Sequence, residues 1–387
     1  MEQYSNRFDP ACPATHSFAL LLNVWQRQYG RHTLPWQGTQ DPYLIWVSEI
    51  MLQQTQVRTV IPYYQRFLST FPTVETLAQS SLDQVLSHWS GLGYYARARH
   101  LHRAAQLISA NGGFPRTVAD LCTLPGIGRS TAGAIAAFAY GDRAAILDGN
   151  VKRILCRVFA LTSPAEEELW QVADALLPDS ENIATYTQGL MDLGTLRCLR
   201  NRPLCSDCPL AGICQAHQTE TIAQYPSRPK RPQRQVRHSR LLLIDNAQGQ
   251  WLMQRKPPTG IWAGLWSFPE ETLSPDLPSS HSLGLDGEPH TMLSPIRHLL
   301  THVEWHLYPI MFHSADSLEF PADPSYGWFT TESMEQLALP APIRRLLPQL
   351  TMNDARTLQG EKMTSQGFSE IHRTMLTPCT TDGDRQR

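Results

Sequence analysis

The stretch LPGIGRSTAGA, at residues 124–134, decides the fold of the first half of the chain. Gly126 and Gly128 stand two residues apart, which allows a tight turn whose backbone N–H groups point outward. A helix predicted over 129–140 follows at once and adds the positive end of its dipole. Such a turn can bind a phosphate through backbone groups alone. The glycine pair by itself is equally compatible with any turn between two helices.

The complete string is more specific than the glycine pair, and it resembles the helix-hairpin-helix of the endonuclease III superfamily of DNA glycosylases. Asp148 follows Gly128 by 20 residues, as the aspartate of that superfamily does. The resemblance implies that Gly126, Gly128 and the adjoining Ser130 contact DNA.

The region 1–222 is predicted to be mostly α-helical, because residues 16–222 show helical periodicity with little strand signal. One helix should begin at Asp41, an N-cap residue that precedes Pro42 in the first helical position. Other helices are predicted over 82–89, 95–110, 149–161 and 166–177.

Four of the eight cysteines are crowded into residues 198–214, namely Cys198, Cys205, Cys208 and Cys214. Thiolates bind either a tetrahedral zinc ion or an iron–sulfur cluster. The loop has only one close cysteine pair, wide gaps on both sides and no histidine, which favours the larger group. The spacing resembles the loop of the endonuclease III and MutY glycosylases, which implies one 4Fe–4S cluster. Arg197, Arg200 and Arg202 on this loop either meet phosphates or form a solvated surface.

Removing a base from DNA requires an acid that protonates the leaving base and an anion that stabilises the cationic sugar. Glu49 has the apolar neighbours Val47 and Ile50, so its pKa should be raised. An exposed surface glutamate is the alternative. Residues 46–56 resemble the catalytic helix of the MutY family of adenine DNA glycosylases, which implies that Glu49 protonates adenine and later handles the water.

Asp148 directly precedes a predicted helix, where aspartate is a favoured N-cap. The helix dipole stabilises the ionised carboxylate, so the capping role and a role beside an oxocarbenium ion are compatible. The resemblance implies that Asp148 stabilises the sugar cation and that Asn150 supports the same site.

A base stacked in a duplex must be extruded before an enzyme can reach it. Gln54 and Tyr94 match residues that MutY proteins insert into the DNA stack, although core packing is the alternative for a tyrosine. The basic residues after Tyr94 predict a contact with the DNA backbone. They are Arg97, Arg99, His100, His102 and Arg103.

The composition changes after Cys214, and residues 223–238 are predicted to form a basic, proline-rich linker. Short β-rich runs at 241–245, 251–255 and 302–313, with a helix at 343–350, predict a small α+β domain over 239–351. Residues 352–387 are polar and predict a disordered tail.

The second domain resembles the Nudix-like domain of the MutY family, which contacts 8-oxoguanine in the opposite strand. Thr301 and His302 match the contact residues, although Leu300 replaces a phenylalanine. The domain lacks the Arg-Glu-x2-Glu-Glu box, so it is expected to recognise a base and not to hydrolyse pyrophosphates.

The resemblance therefore implies a glycosylase that removes adenine opposite 8-oxoguanine or guanine in double-stranded DNA, with little lyase activity. Bifunctional pyrimidine glycosylase/lyases are the nearest alternative, but they carry a nucleophilic lysine where this chain has Ser130. A non-enzymatic damage-binding protein would need neither Glu49 nor Asp148.

The bulk properties limit the cellular class. The chain has 387 residues, a net charge of −2 and 42% hydrophobic residues, so any DNA-binding surface must be local. The first 17 residues contain no apolar run, and no apolar stretch approaches the roughly 18 residues of a membrane span. We expect a soluble, intracellular (cytoplasmic) monomer without a signal peptide.

Overall fold

A computed structural model describes residues 13–227, 233–273, 291–313 and 323–350. The chain divides into two compact units, Met1–Arg231 (unit 1) and Pro232–Arg387 (unit 2). The predicted tail at 352–387 and residues 228–232 of the predicted linker lie outside the described residues. In the described ranges, no helix has the length and apolar character needed to cross a membrane.

The described part of unit 1 is helical, as predicted. Helices α1–α12 are Pro13–Tyr29, Pro42–Leu52, Val57–Thr70, Val74–Gln79, Leu82–Trp89, Ala96–Ala110, Val118–Leu121, Arg129–Ile135, Gly149–Val158, Glu166–Ala175, Ile183–Leu196 and Gln215–Gln218. The predicted helix start at Asp41 is confirmed, because its Oδ1 accepts a hydrogen bond from Tyr43 N–H at 2.8 Å. A π-helical turn at Ala136–Tyr140 continues α8 to the end of the predicted helix.

One hydrophobic core joins α1, α9, α10 and α11, with Phe18, Ile154, Trp170 and Leu193 among its buried members. At Gly133, α8 approaches the main chain so closely that a Cβ atom would collide with the carbonyl oxygen of Ala145. This contact holds the segment that leads into Asp148 against α8. The core therefore positions the predicted catalytic aspartate.

Unit 2 contains a mixed β-sheet, as expected for a small α+β domain. Strands β1–β8 are Gln235–Asp245, Trp251–Arg255, Trp266–Ser267, Glu270–Thr272, Thr291–Met292, Ile296–Leu299, Val303–His313 and Tyr326–Phe329. The strand order is β3-β2-β1-β7-β5, while β4 pairs with β1, β6 with β7 and β8 with β2. Two short helices, α13 (Thr331–Glu335) and α14 (Ala341–Arg344), follow β8.

The first strand of unit 2 is longer than the sequence predicted. β1 and β7 are parallel over their whole lengths, so that Gln235 pairs with Val303. Residues 235–238, which the basic composition assigned to the linker, are therefore part of β1. Further along the strand, Leu242 and Ile244 pack with Ile310 and Phe312 in a buried cluster.

Candidate active site

A large cleft in unit 1 brings six of the predicted site residues together. Glu49, Gln54, Ser130, Asp148, Asn150 and Cys205 all line it. The cleft volume is ≈ 2230 Å³, above the roughly 300–1,000 Å³ of pockets for drug-sized ligands. An opening of this size suits an extruded nucleotide that is still attached to its polymer.

Glu49 lies in the last turn of α2, a helix whose other side chains are mostly buried. The side chain is partly exposed to the cleft but has protein around it. Burial raises the pKa of its carboxyl to about 8, and the nearby charge of Asp148 adds to this rise. Both causes disfavour a second negative charge. Glu49 therefore holds a proton at neutral pH, as the apolar neighbours predicted.

Asp148 is the N-cap of α9 and is exposed in the cleft. Its Oδ1 accepts hydrogen bonds from Asn150 N–H at 2.9 Å and Val151 N–H at 2.8 Å. The Asn150 side-chain amide donates to the other oxygen, Oδ2, at 3.3 Å. These donors hold the Asp148 carboxyl group at the N-terminus of α9. The cleft therefore contains the Glu49 carboxyl, with its raised pKa, and the exposed, hydrogen-bonded carboxyl of Asp148.

Arg153 is a site residue that the sequence interpretation missed. Its Nη2 donates to Asn150 Oδ1 at 2.9 Å and to Gly194 O at 2.7 Å, while its Nε donates to Cys198 O at 2.8 Å. The guanidinium thus orients the Asn150 amide towards Asp148. It lies three residues after Asn150 on α9, and this i, i+3 spacing was the available signal.

Ser130 also supports the aspartate, in addition to lining the cleft. Its Oγ accepts a hydrogen bond from Leu147 N–H at 3.0 Å, directly before Asp148. The hydroxyl therefore restrains the backbone that leads into Asp148.

The two hairpin glycines differ in what they require. Gly126 has φ +80°, and a Cβ there would lie 2.8 Å from the Cβ of His100. Gly128 is the N-cap of α8 with φ −92°, which any residue can adopt, and no protein atom lies near its Cβ position. Gly126 is thus required by the fold, whereas Gly128 leaves open space at the start of a helix.

Gln54 and Tyr94 share an unusual backbone conformation. Gln54 follows α2 with φ 58°, and Tyr94 precedes α6 with φ 52°. Non-glycine residues in this left-handed region carry strain on the order of 1–3 kcal/mol, which persists only where the surroundings impose it. Both side chains are exposed, Tyr94 to 51%. Tyr94, Gly126 and Gly128 do not line the cleft.

The basic run after Tyr94 is not the exposed stripe that the sequence predicted. Arg97 is 8% exposed and His102 is 7% exposed, because both lie on the inner face of α6. The Nε2 of His102 lies 2.9 Å from the carbonyl oxygen of Ser80. Only His100 and Arg103 are fully on the surface. The prediction of a backbone contact is therefore wrong for Arg97 and His102.

The four clustered cysteines line one small cavity, together with Arg157. Arg157 Nη1 donates to Cys198 Sγ at 3.3 Å and to Leu199 O at 2.7 Å. Burial and, more weakly, the charges of the other cysteines raise the pKa of the Cys208 thiol to about 12. In the ranges that the structure describes, no three His, Cys, Asp or Glu side chains converge as ligands of one metal ion.

A polar group missed by the sequence interpretation occupies another part of the cleft wall. The buried Asp192 carboxylate accepts from Arg31 Nε at 2.7 Å and from Gln188 Nε2 at 2.8 Å. Because Nε2 of Gln188 donates to a carboxylate, the orientation of its amide is chemically defined. Arg31 and Gln188 line the cleft.

Thr301 and His302 lie in unit 2, in the turn between β6 and β7. The Leu300 N–H donates to Val303 O at 2.8 Å and closes this turn. Both side chains are exposed, and the His302 carbonyl accepts from Gln235 N–H at 3.0 Å. Two polar groups thus stand at the tip of a turn held by main-chain bonds.

Comparison with known families agrees with this division of the chain. Residues 47–178 match the family model described as HhH-GPD superfamily base excision DNA repair protein. Residues 240–349 match the model described as NUDIX domain. A solved structure of a thermostable thymine-DNA glycosylase has a TM-score of 0.50 and 25% identity, over 53% of this chain and 97% of that chain.

Two full-length relatives share both regions. The adenine DNA glycosylase of Buchnera aphidicola subsp. Baizongia pistaciae is 34% identical over 339 residues, which cover 86% of this chain and 96% of the relative. The adenine DNA glycosylase of Rattus norvegicus is 30% identical over 419 residues, covering 89% and 80%. Identity of this extent, over a chain that carries both an HhH-GPD region and a NUDIX domain, shows that the protein belongs to the MutY family of adenine DNA glycosylases, the N-glycosylases of base excision repair.

Proposed function

We propose that this glycosylase removes adenine opposite 8-oxoguanine, and opposite guanine, by hydrolysis with Glu49 as the acid and Asp148 as the stabilising anion. The observation that carries the proposal is the pairing of a Glu49 carboxyl with a pKa of about 8 and the helix-capping Asp148 in one cleft. Both requirements of N-glycosidic bond cleavage are met there.

The reaction uses the two carboxyl groups in sequence. Glu49 donates its proton to a ring nitrogen of adenine, and the bond between C1′ and N9 breaks with its electron pair moving to the base. The Asp148 carboxylate stabilises the oxocarbenium ion at C1′. A water molecule then attacks C1′ and gives a proton to Glu49, which restores the acid.

The polar group around Asp192 suits adenine. Gln188 lines the cleft and its Nε2 donates to Asp192, so Oε1 is the atom of this amide that would accept a hydrogen bond from a base in the cleft. The exocyclic amino group of adenine is a donor, whereas the O6 of guanine is an acceptor. Gln188 therefore favours adenine over guanine as the extruded base.

Ser130 supports hydrolysis without strand cleavage. A lyase needs an amine that attacks C1′ to form a Schiff base. The Ser130 hydroxyl instead accepts a backbone hydrogen bond beside Asp148. The abasic product should therefore remain uncleaved until alkali is added, which argues against the bifunctional alternative.

The spacing and chemistry of the four-cysteine loop support a 4Fe–4S cluster held by Cys198, Cys205, Cys208 and Cys214. Four sulfur donors around one cavity supply the usual ligand set. When bound, the cluster would hold in shape the loop that carries Arg200 and Arg202 beside the cleft.

The exposed turn of unit 2 suits recognition of the opposite base. Thr301 offers a hydroxyl and His302 an imidazole on a turn with its main chain fixed. Polar groups in this setting can bind the altered edge of 8-oxoguanine without any chemistry of their own. Unit 2 would then add binding energy only when the lesion is present.

The first prediction concerns the acid. Adenine release should be independent of pH from about pH 6 to about pH 8 and then fall about tenfold per pH unit, because Glu49 must be protonated. Glu49→Gln should release adenine roughly 10²–10⁴-fold more slowly while still binding the duplex. Single-turnover rates on an A:8-oxoguanine duplex measure both effects. An unchanged alkaline limb in Glu49→Gln would assign the acid to another group.

The second prediction separates the two hairpin glycines. Gly126→Ala should lower the melting temperature, because the residue has positive φ and its Cβ would meet His100. Gly128→Ala should fold normally but bind duplex DNA more weakly, since its methyl group would occupy the space where a phosphate approaches the α8 N-terminus. Thermal unfolding and DNA titration distinguish the two. Normal DNA affinity in Gly128→Ala would contradict the clamp.

The third prediction concerns the cluster. Cys205→Ser and Cys208→Ser should lose iron and acid-labile sulfide, and should bind DNA more weakly because the loop depends on its ligands. Cys122→Ser is the matched control, since Cys122 is exposed and outside the loop. Metal analysis of the purified proteins is the measurement. Stoichiometric zinc without iron or sulfide in the parent protein would overturn the assignment.

The fourth prediction concerns unit 2. Thr301→Ala should reduce the preference for A:8-oxoguanine over A:G about two- to tenfold, because one hydrogen bond is lost. A chain truncated after Arg231 should still release adenine but lose most of that preference. Thr291→Ala, an exposed threonine on β5, is the control. Single-turnover rates on both duplexes decide the matter, and a truncated enzyme that discriminates fully would exclude unit 2 as the reader.

A further inference from the structure

We propose that Arg97 is a positioning residue that joins the Gln54 loop to the Tyr94 loop, so that the two DNA-inserting side chains act as one rigid wedge. The inference rests on the proposed roles of Gln54 and Tyr94. It is carried by the hydrogen bonds that the buried guanidinium makes to both loops.

One side of the guanidinium holds the end of α2. Arg97 Nη1 donates to three carbonyl oxygens there, those of Ile50 at 2.9 Å, Met51 at 2.8 Å and Gln53 at 2.6 Å. These belong to the unpaired carbonyls that every helix leaves at its C-terminus. α2 has no basic residue of its own in its last turn, so Arg97 provides the cation that the helix dipole favours.

The other side of the guanidinium holds the loop before α6. Arg97 Nη2 donates to Gly93 O and to Thr55 Oγ1, both at 3.1 Å. The guanidinium carbon also lies 5.4 Å from the centre of the Tyr94 ring, within the range of a cation–π contact. The same charged group therefore touches residues on both sides of Gln54 and the residue before Tyr94.

The position of Arg97 is unfavourable for its own helix. It lies in the first turn of α6, where the helix dipole disfavours a positive charge. It is 8% exposed, and no carboxylate pairs with it in the part of the chain that the structure describes. A buried cation at this site is therefore explained by the carbonyl groups of the two loops and not by α6.

The bridge accounts for the left-handed backbone at both insertion residues. Gln54 follows the Gln53 carbonyl that Arg97 binds, and Tyr94 follows the bound Gly93 carbonyl. Because Arg97 holds each of these carbonyl groups in place, the backbone conformation of the residue that follows is restrained as well. Arg97 thus fixes the distance between the two inserting side chains. It also holds both of them in a fixed position relative to α2, the helix that carries Glu49.

The test measures base extrusion separately from chemistry. In a Glu49→Gln background, 2-aminopurine replaces the target adenine opposite 8-oxoguanine, and its fluorescence rises when the base leaves the stack. At saturating protein, adding Arg97→Met should reduce this rise at least about threefold. In the otherwise unaltered enzyme, Arg97→Met should lower the single-turnover rate about 10- to 100-fold, as expected for a misplaced insertion loop.

Two variants separate positioning from charge and stability. Arg97→Lys keeps the cation, but a single ammonium group cannot span the carbonyls of Gln53 and Gly93, so extrusion should remain impaired. Arg143→Met is the matched control, because Arg143 donates to Leu177 O and Pro178 O, beyond the end of α10 and away from both loops. It should lower the melting temperature without changing the fluorescence rise.

A double-mutant cycle gives a further criterion. If Arg97 acts through the wedge, adding Arg97→Met to Tyr94→Ala should slow the reaction much less than it slows the parent. Should Arg97→Met fail to fold, Thr55→Val removes one contact of the bridge and should reduce the fluorescence rise in the same direction. A full rise at saturation in these variants, or additive losses, would overturn the proposal. No rise in the Glu49→Gln parent would instead contradict the proposed function itself.

Discussion

The carboxylate of Asp148 lies close enough to the carboxyl of Glu49 to raise the pKa of that carboxyl, and this pair constrains the rest of unit 1. Two ionised carboxylates in the same cleft would repel one another. Burial in α2 favours the uncharged form of Glu49. The Asp148 carboxylate, in contrast, is exposed and accepts hydrogen bonds from the backbone and the side chain of Asn150 at the start of α9. The different surroundings of these two similar groups therefore support the proposal that Glu49 is the acid and Asp148 the anion.

Buried arginines maintain this arrangement by binding main-chain carbonyls. Arg153 joins Asn150 to α11 and to the cysteine loop, and Arg157 binds the loop at Leu199. A guanidinium offers five donors in a planar fork, so one residue can satisfy carbonyls from several elements. Because carbonyls are neutral, these residues add positive potential around the cleft. A chain with a net charge of −2 can thus present a local surface for DNA.

Periodicity and capping residues predicted most of unit 1, because its helices obey local rules. Asp41 and Asp148 begin α2 and α9 as their capping chemistry indicated. The same rules could have corrected the misread basic run. Leu101 and Ala104 lie four and seven residues after Arg97, and all three are on the buried face of α6. Because Arg97 is charged, its side chain was nevertheless predicted to be exposed. The start of β1 was missed for another reason, since its pairing with β7 lies about 70 residues away in sequence and leaves no local signal.

Adenine is a normal base, and this places a limit on what the cleft can achieve. Gln188 and Glu49 meet the same chemical groups whether the adenine came from a pair with thymine or from a pair with 8-oxoguanine. Discrimination must therefore arise before the base enters the cleft. Two terms differ between the pairs: the free energy of extrusion, which is lower for a mispair, and any contact with the opposite base. In the function proposed above, the first term depends on the loops of Gln54 and Tyr94, and the second on the turn that carries Thr301. A catalytic centre that is indifferent to the origin of its base thus requires a rigid wedge and a separate reader, which explains why so much of the chain lies outside the chemistry.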